Sequence, residues 1–312
     1  MSTKASTRAV LTALAMNTAI TVIKGIVAIL SGSAAMLAEA VHSLADSGNQ
    51  LLLIFGMRRS KRPADANHPF GHGKEEYYWS NLVAVILFLL GAVYSLFEGI
   101  EKVLHPHPLE RPALIFLVLG ISVVLEGYSW LVALKGMKAG ARRVPLRTLL
   151  RESKDSNLIV IAVEDTAAMI GLVTALTGTL LAVFTGLPVF DGIASVIIGL
   201  LLGTMSLFLA AEMRKLLVGE GIDREKVNAL RNMLAEQPEI DRVVGIWTMQ
   251  LGVGSCLIAL RLDFDDNLPA GQLERLAATL RTKIRAVVPE AEHVFLGLEP
   301  AGDGAAATPE GR

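Results

Sequence analysis

The 312-residue chain is 52% hydrophobic and 19% charged, with a mean hydropathy of +0.50, the bulk character of a membrane protein. A single cysteine, Cys256, excludes an internal disulfide framework and a Cys-based zinc finger. The formal net charge of -1 hides a segregation of charge along the chain and says nothing of partners, while aromatics are scarce at 5% and no aromatic-plus-basic surface suggests nucleic acid.

Residues 1–8 form a polar leader, and the apolar run behind Lys4 and Arg8 continues past Lys24. Further spans follow it, so it reads as a first membrane helix over about residues 9–30 rather than a cleaved signal. Asn17, Thr21 and Lys24 make a polar stripe along it. A very short turn leads into SAAMLAEAVHSLADSGNQLLLIFGM, residues 33–57, a second span with Glu39, His42, Asp46, Asn49 and Gln50 in its middle. Steps of three and four put Glu39, His42, Asp46 and Asn49 near one helix face. A carboxylate at membrane depth costs roughly 2.5–3.5 kcal/mol on insertion scales, so this line of groups calls for a function. An imidazole and a carboxylate one turn apart, His42 and Asp46, can share a divalent cation such as zinc, or handle a proton. For Asn49 and Ser47 the plainer reading is polar glue between helices.

A polar loop over residues 58–78 carries PADANHPFGHGK. A third span covers about 79–103, with Glu98 and Glu101 near its far end. The short turn HPHPLERP holds His105 and His107, which read as surface residues. A fourth span over about 113–136 has Glu126 in its middle, and a strongly basic connection follows. A fifth span, about 158–184, contains Glu164 and Asp165, and after TGLPVF a sixth covers about 191–211, with Asp191 as its expected N-cap. Lys and Arg crowd the leader, the second and fourth connections and the residues after the sixth span. The other turns carry few, which fits six spans with both termini in the cytoplasm.

From about residue 221 the pattern becomes that of a soluble domain in the order α-β-β-α-β. The expected organisation is a transmembrane all-α bundle of six helices over 1–216, a small cytoplasmic α+β domain over 217–300, and a disordered tail over 301–312. Cys256 reads as a small core residue, and Asp263, Asp265 and Asp266 as a solvated acidic edge.

Six spans, His42-x3-Asp46, the loop PADANHPFGHGK, Asp165 in the fifth span and the α-β-β-α-β domain together resemble the cation diffusion facilitator family of divalent metal/proton antiporters. HSLAD followed by GNQ, and VEDTAA, look like its branch containing zinc transporter 9. The resemblance implies a ferredoxin- or metallochaperone-like C-terminal domain that forms a homodimer. It also implies a transport site built from His42 and Asp46 with Asp165, and a second metal site at Asp65, His68 and His72, whose alternative is a merely solvated His-rich loop. The sequence departs from the family at Ile161, where zinc-type members usually carry His. Glu164, water, Asn17 and Glu126 are candidates for the missing ligand. The branch resemblance implies Zn2+ as the transported substrate, whereas losing an imidazole hardens the site and favours manganese or iron relative to zinc, so Mn2+, Fe2+ and Co2+ stay open as the alternative. Gly245 stands where a histidine is common in the C-terminal domain, which argues against metal sensing there.

Metal binding needs a neutral imidazole, so an arriving cation displaces a proton and a proton gradient can reload the site. The expected function is export of the cation across a bacterial plasma membrane by rocking around the midplane, with no resident cofactor. A non-transporting membrane sensor or scaffold is the competing class. HExxH, Gly-x-Ser-x-Gly and P-loop strings do not occur, so an enzyme has no support.

Overall fold

The computed structural model describes the backbone of residues 3–31, 34–106, 112–138 and 154–299, and their side chains except at 3–5, 27, 28, 30, 31, 34–42, 45, 87–89, 112, 114 and 136–138. His107, most of the basic connection, the tail and the side chains of Glu39 and His42 therefore lie outside the described residues.

The first long helix, α1, runs Thr3–Ser31 and α2 runs Ala34–Arg59. A third long element, Glu75–Leu104, consists of α3 (Glu75–Ile86), a π-helical stretch (Leu87–Val93) and α4 (Tyr94–Leu104). Then come α5 (Pro112–Lys138), α6 (Ser156–Thr185) and α7 (Val189–Val218). Five of these helices, all but α2, are long and apolar enough among the described residues to cross a membrane. Large apolar side chains stay on their outer faces, with Phe184 83% and Leu207 66% exposed, as a lipid-facing surface requires. The 26-residue α2 packs along α1 and α3 in the same bundle.

Local chemistry sets the helix ends. Asp155 caps α6 by accepting a hydrogen bond from the Leu158 N–H at 3.2 Å. Gly186 ends α6 at φ 69°, a left-handed conformation that glycine adopts without strain, and Pro188 follows as the next helix begins. The expectation that Asp191 caps the last membrane helix is corrected here. That helix opens at Val189, and Asp191 in its first turn instead accepts from Lys102 Nζ at 3.3 Å and from the Thr179 hydroxyl at 3.5 Å. The same helix runs past residue 211 to Val218, because AAEMRKLL is a strong helix former that buries Met213 and Leu216.

The helix α6 is packed on several sides, by α1, α3, α5 and α7, and its residues Ser156–Asp165 are all buried. Glycine permits a close crossing elsewhere: a Cβ on Gly99 of α4 would stand 2.6 Å from the backbone nitrogen of Val196 in α7.

Beyond Val218 lie α8 (Arg224–Ala235), β1 (Ile240–Gly252), β2 (Ser255–Phe264), α9 (Ala270–Val287) and β3 (Ala291–Leu298). The strands form a sheet in the order β1-β2-β3, antiparallel between β1 and β2 and parallel between β2 and β3. Alternation along β2 buries Cys256, Ile258, Leu260 and Leu262 in one core with Leu230 and Leu234 of α8 and Leu280 and Ile284 of α9. Burial pushes the Cys256 thiol up to about 11, as befits a core residue rather than a reactive one. Trp247 fills the space at Gly245, where an added Cβ would meet its ring, so this position offers no room for a histidine.

Backbone and side-chain contacts tie the sheet to the bundle. The Gln250 N–H of β1 donates to the Glu220 carbonyl, just past α7, at 2.8 Å, and Lys74 Nζ, which donates to the Leu217 carbonyl of α7 at 3.2 Å, lies 3.9 Å from Met249 Sδ of β1.

Candidate metal centre

Two polar clusters sit at positions that chain folding selects. The first lies where α2 faces α6. Gln50 donates to Glu164 Oε2 at 3.0 Å and Asn49 donates to Glu164 Oε1 at 3.4 Å, so one carboxylate receives two side-chain amides. Asn17 of α1 donates to the Gln50 oxygen at 3.2 Å, extending the chain to a third helix. Asp165 points to the other side of α6, where the Ser129 hydroxyl of α5 donates to its Oδ2 at 2.8 Å. Consecutive positions lie about 100° apart on a helix, so the two acids serve different neighbours.

Asp46 is half-buried on α2, near enough to both Glu164 and Asp165 for their charges to interact, and Glu126 adds its field at Asp165. Carboxylates gathered in a low-dielectric setting are relieved by a cation or by protons. His42 stands one turn before Asp46 on α2, with its side chain outside the described residues. Ile161 is fully buried in the apolar core and offers no ligand. Lys24 donates to the Ser43 hydroxyl at 2.9 Å, beside the same cluster.

The second cluster is in the α2–α3 loop. Asp65 bridges two imidazoles: its Oδ1 is 3.2 Å from His68 Nδ1 and its Oδ2 is 3.0 Å from His72 Nε2. The imidazole rings lie 4.1 Å apart. Ligand atoms of Asp65, His68 and His72 all fall within 4.8 Å of one another, the tightest such trio among the described residues. Asp46, Glu164 and Asp165 do not converge that closely. The His72 hydrogen bond, helped by the His68 backbone N–H, holds the exposed Asp65 carboxyl well below the usual carboxylate range. Two nitrogens and a carboxylate oxygen suit a borderline divalent ion, with water completing the shell. Phe70, inside this loop, packs edge-on against His293 and Phe295 of β3 at 5.3 and 6.3 Å, so the loop touches the sheet.

The sequence did not single out the partners Ser129 and Gln50 as supports of the acids. Nor did it single out a third polar group at the same end of the bundle as the loop. There Asn157 donates to Glu76 and to the Ser6 hydroxyl, Ser6 donates to Asp155 at 3.1 Å, and Ser60 donates to Glu76 at 3.1 Å. The only signal for this network was polar residues recurring where apolar helices begin.

The family described as the cation efflux transmembrane domain matches residues 10–218. The proton-coupled zinc antiporter SLC30A9, mitochondrial, of Mus musculus is 36% identical over 239 residues, 76% of this chain and 42% of that protein. Metal tolerance protein C4 of Arabidopsis thaliana is 33% identical over 265 residues, 84% of this chain and 58% of that protein. Magnetosome protein MamB of Magnetospira sp. (strain QH-2) is 25% identical over 285 residues, covering 90% of each chain. The chain thus spans less than two thirds of the length of the zinc antiporter and of the plant protein.

Proposed function

The chain belongs to the cation efflux family, a family of multi-pass membrane transporters rather than enzymes, and on that footing we propose that it exports a divalent metal cation from the cytoplasm in exchange for protons. The transported substrate is Zn2+ foremost. Six spans, with both termini in the cytoplasm of a bacterial plasma membrane, carry the transport site, and the sheet domain after residue 216 pairs two copies into a homodimer.

The observation that carries the reading is Glu164 of α6 receiving Asn49 and Gln50 of α2 at 3.4 and 3.0 Å, which holds α2, with Asp46 one turn earlier, against the acids of α6 inside the bundle. His42, Asp46 and Asp165 bind the ion. Glu164, already supplied with two amide donors, lies beside it and serves as a ligand or as a proton acceptor when the ion leaves. Protons and metal compete for the same carboxylates and imidazole, which makes the exchange obligatory. The name of the mouse relative supports zinc and proton coupling. A second reading, Mn2+, Fe2+ or Co2+ as substrate, is favoured by Ile161, which replaces an imidazole by an apolar side chain and leaves an oxygen-rich set. Asp65, His68 and His72 form a separate loop site that holds a metal without passing it through the membrane.

Metal-driven proton flux in sealed proteoliposomes tests this, with Zn2+, Mn2+, Fe2+ and Co2+ compared for the unmodified chain, Asp46→Ala and Asp165→Ala. Flux that both substitutions abolish supports the proposal, and the ion ranking decides the substrate. Silence with every ion, or variants that transport normally, transfers the case to a non-transporting sensor.

A further inference from the structure

Between α1 and α5 a cavity of about 650 Å³ opens on the outside of the bundle, and its walls change character along its length. At one end stand Arg8, near the start of α1, and Lys61, just beyond the end of α2, both exposed. Further along α1 the wall is Leu11, Ala15 and Met16, with Tyr128 of α5, and Thr7 and Thr12 also line the groove. Residues 8 to 16 of one helix span about 12 Å at 1.5 Å per residue. Leu11 and Tyr128 are 51% and 53% exposed, so the groove is open to whatever surrounds the bundle. None of the lining residues is acidic. Neither Arg8 nor Lys61 forms a salt bridge among the described residues.

We propose that this groove binds one anionic glycerophospholipid, with its phosphate between Arg8 and Lys61 and an acyl chain along Leu11, Ala15 and Met16. Cations at the mouth and an apolar wall running into the membrane match the two ends of such a molecule. A soluble phosphate has no use for the apolar length, and a zwitterionic lipid places its own cation against Arg8 and Lys61. The site staples α1 to α5, two helices that flank the candidate metal centre through Asn17 and Ser129. The inference rests on the membrane reading above and takes from the proposed orientation only the leaflet, the cytoplasmic one.

The test is native mass spectrometry of the full-length chain in neutral detergent, counting phosphatidylglycerol or phosphatidylcholine retained as each is titrated. A lysine or arginine near an anionic lipid surface contributes about fivefold in binding, so two give a preference for phosphatidylglycerol of roughly twenty-five-fold. Arg8→Gln with Lys61→Gln is expected to erase that preference, and Arg8→Lys with Lys61→Arg to keep it. Glycerol 3-phosphate should fail to compete at concentrations where short-chain phosphatidylglycerol succeeds. Equal retention of the two lipids, an unchanged preference in the neutralised variant, or displacement by glycerol 3-phosphate overturns the proposal. Should the neutralised variant not fold, Ala15→Trp fills the apolar wall and keeps both cations. It must lower phosphatidylglycerol retention at least about tenfold, and unchanged retention overturns the proposal. Lipid is counted without metal, so loss of metal-driven flux would leave this result standing.

Discussion

Gln50 of α2 spans the gap to Glu164 of α6, donating to its Oε2 at 3.0 Å while its own oxygen accepts from Asn17 of α1 at 3.2 Å. One fully buried amide thus holds three helices in register around the acids of the candidate metal centre. Its two ends have fixed roles, since only the nitrogen can satisfy a carboxylate and only the oxygen can satisfy the Asn17 donor.

Replacing Gln50 by Leu keeps much of the volume and removes both bonds. Interhelical hydrogen bonds inside membranes average about 0.6 kcal/mol, so losing the pair should lower stability by roughly 1 kcal/mol in detergent melts. Transport should suffer more than stability, because Glu164 loses its stronger donor beside Asp46 and Asp165. Gln50→Glu tests the polarity separately: it brings another acid to Glu164, and flux should become more dependent on pH. Unchanged flux in Gln50→Leu would show that the amide only fastens helices.

Ser129 offers a milder change at the same centre. Its hydroxyl is the described side-chain donor to Asp165, at 2.8 Å, and groups that orient metal ligands typically contribute ten- to a hundredfold in affinity or activity. Ser129→Ala should weaken half-saturation by the transported ion by about that factor and leave the folded protein intact. Asp165→Ala should abolish flux altogether. Half-saturation of metal-driven proton uptake separates the two, and an unchanged half-saturation in Ser129→Ala would remove the hydroxyl from the support of Asp165.

Much of this architecture was legible in the residues. Apolar runs of membrane length and the change of pattern near residue 221 mark the helices and the α-β-β-α-β segment, because periodicity is local. Asp191, by contrast, is not the helix cap that its place in the sequence suggested. Its acid looked like a cap, whereas its partner Lys102 lies 89 positions away and cannot be found from neighbours in sequence. The division of labour between Glu164 and Asp165 has the same origin. Spacing says that they face apart, but only the packing of α2 on one side and α5 on the other says what each meets. The network of Asn157, Glu76, Ser6 and Asp155 joins segments distant in the chain and was invisible for that reason.

The loop cluster makes a prediction about pH. Metal must displace protons from imidazole nitrogen, so affinity at Asp65, His68 and His72 should fall as pH drops from about 7.5 to about 5.5, by at least about tenfold. Asp65 does not share in that loss. Its carboxyl is held below its ordinary range, so its contribution is present above the ordinary carboxylate pKa and fades only as pH falls toward the lowered value. Asp65→Asn should therefore weaken Zn2+ binding at both pH values by a similar factor, and His72→Ala should flatten the pH dependence. Calorimetric titration of the full chain, with Asp46→Ala and Asp165→Ala as background, isolates this site. A pH-independent affinity would remove the imidazoles from the ligand set.

The loop is also pressed against the sheet at a point where side chains have no room. A Cβ on Gly73 would stand 2.5 Å from the Leu251 carbonyl oxygen and 3.1 Å from Gly252 Cα, both backbone atoms of β1. Backbone cannot swing aside as a flexible side chain can, so Gly73→Ala must move either the loop or the end of β1. Overpacking of this kind costs typically about 1–3 kcal/mol. The displaced segment begins next to His72, so the loop cluster should loosen as well, lowering Zn2+ affinity there while the distant Asp46 and Asp165 continue to support flux. Gly120 on α5 is the control: an added Cβ meets nothing within 4 Å, and alanine there should be neutral or slightly stabilising in the helix. Limited proteolysis of the loop, thermal melts and Zn2+ titration of the two variants decide the matter. If Gly73→Ala behaves like Gly120→Ala, the contact between loop and β1 does not hold the bundle and the sheet together.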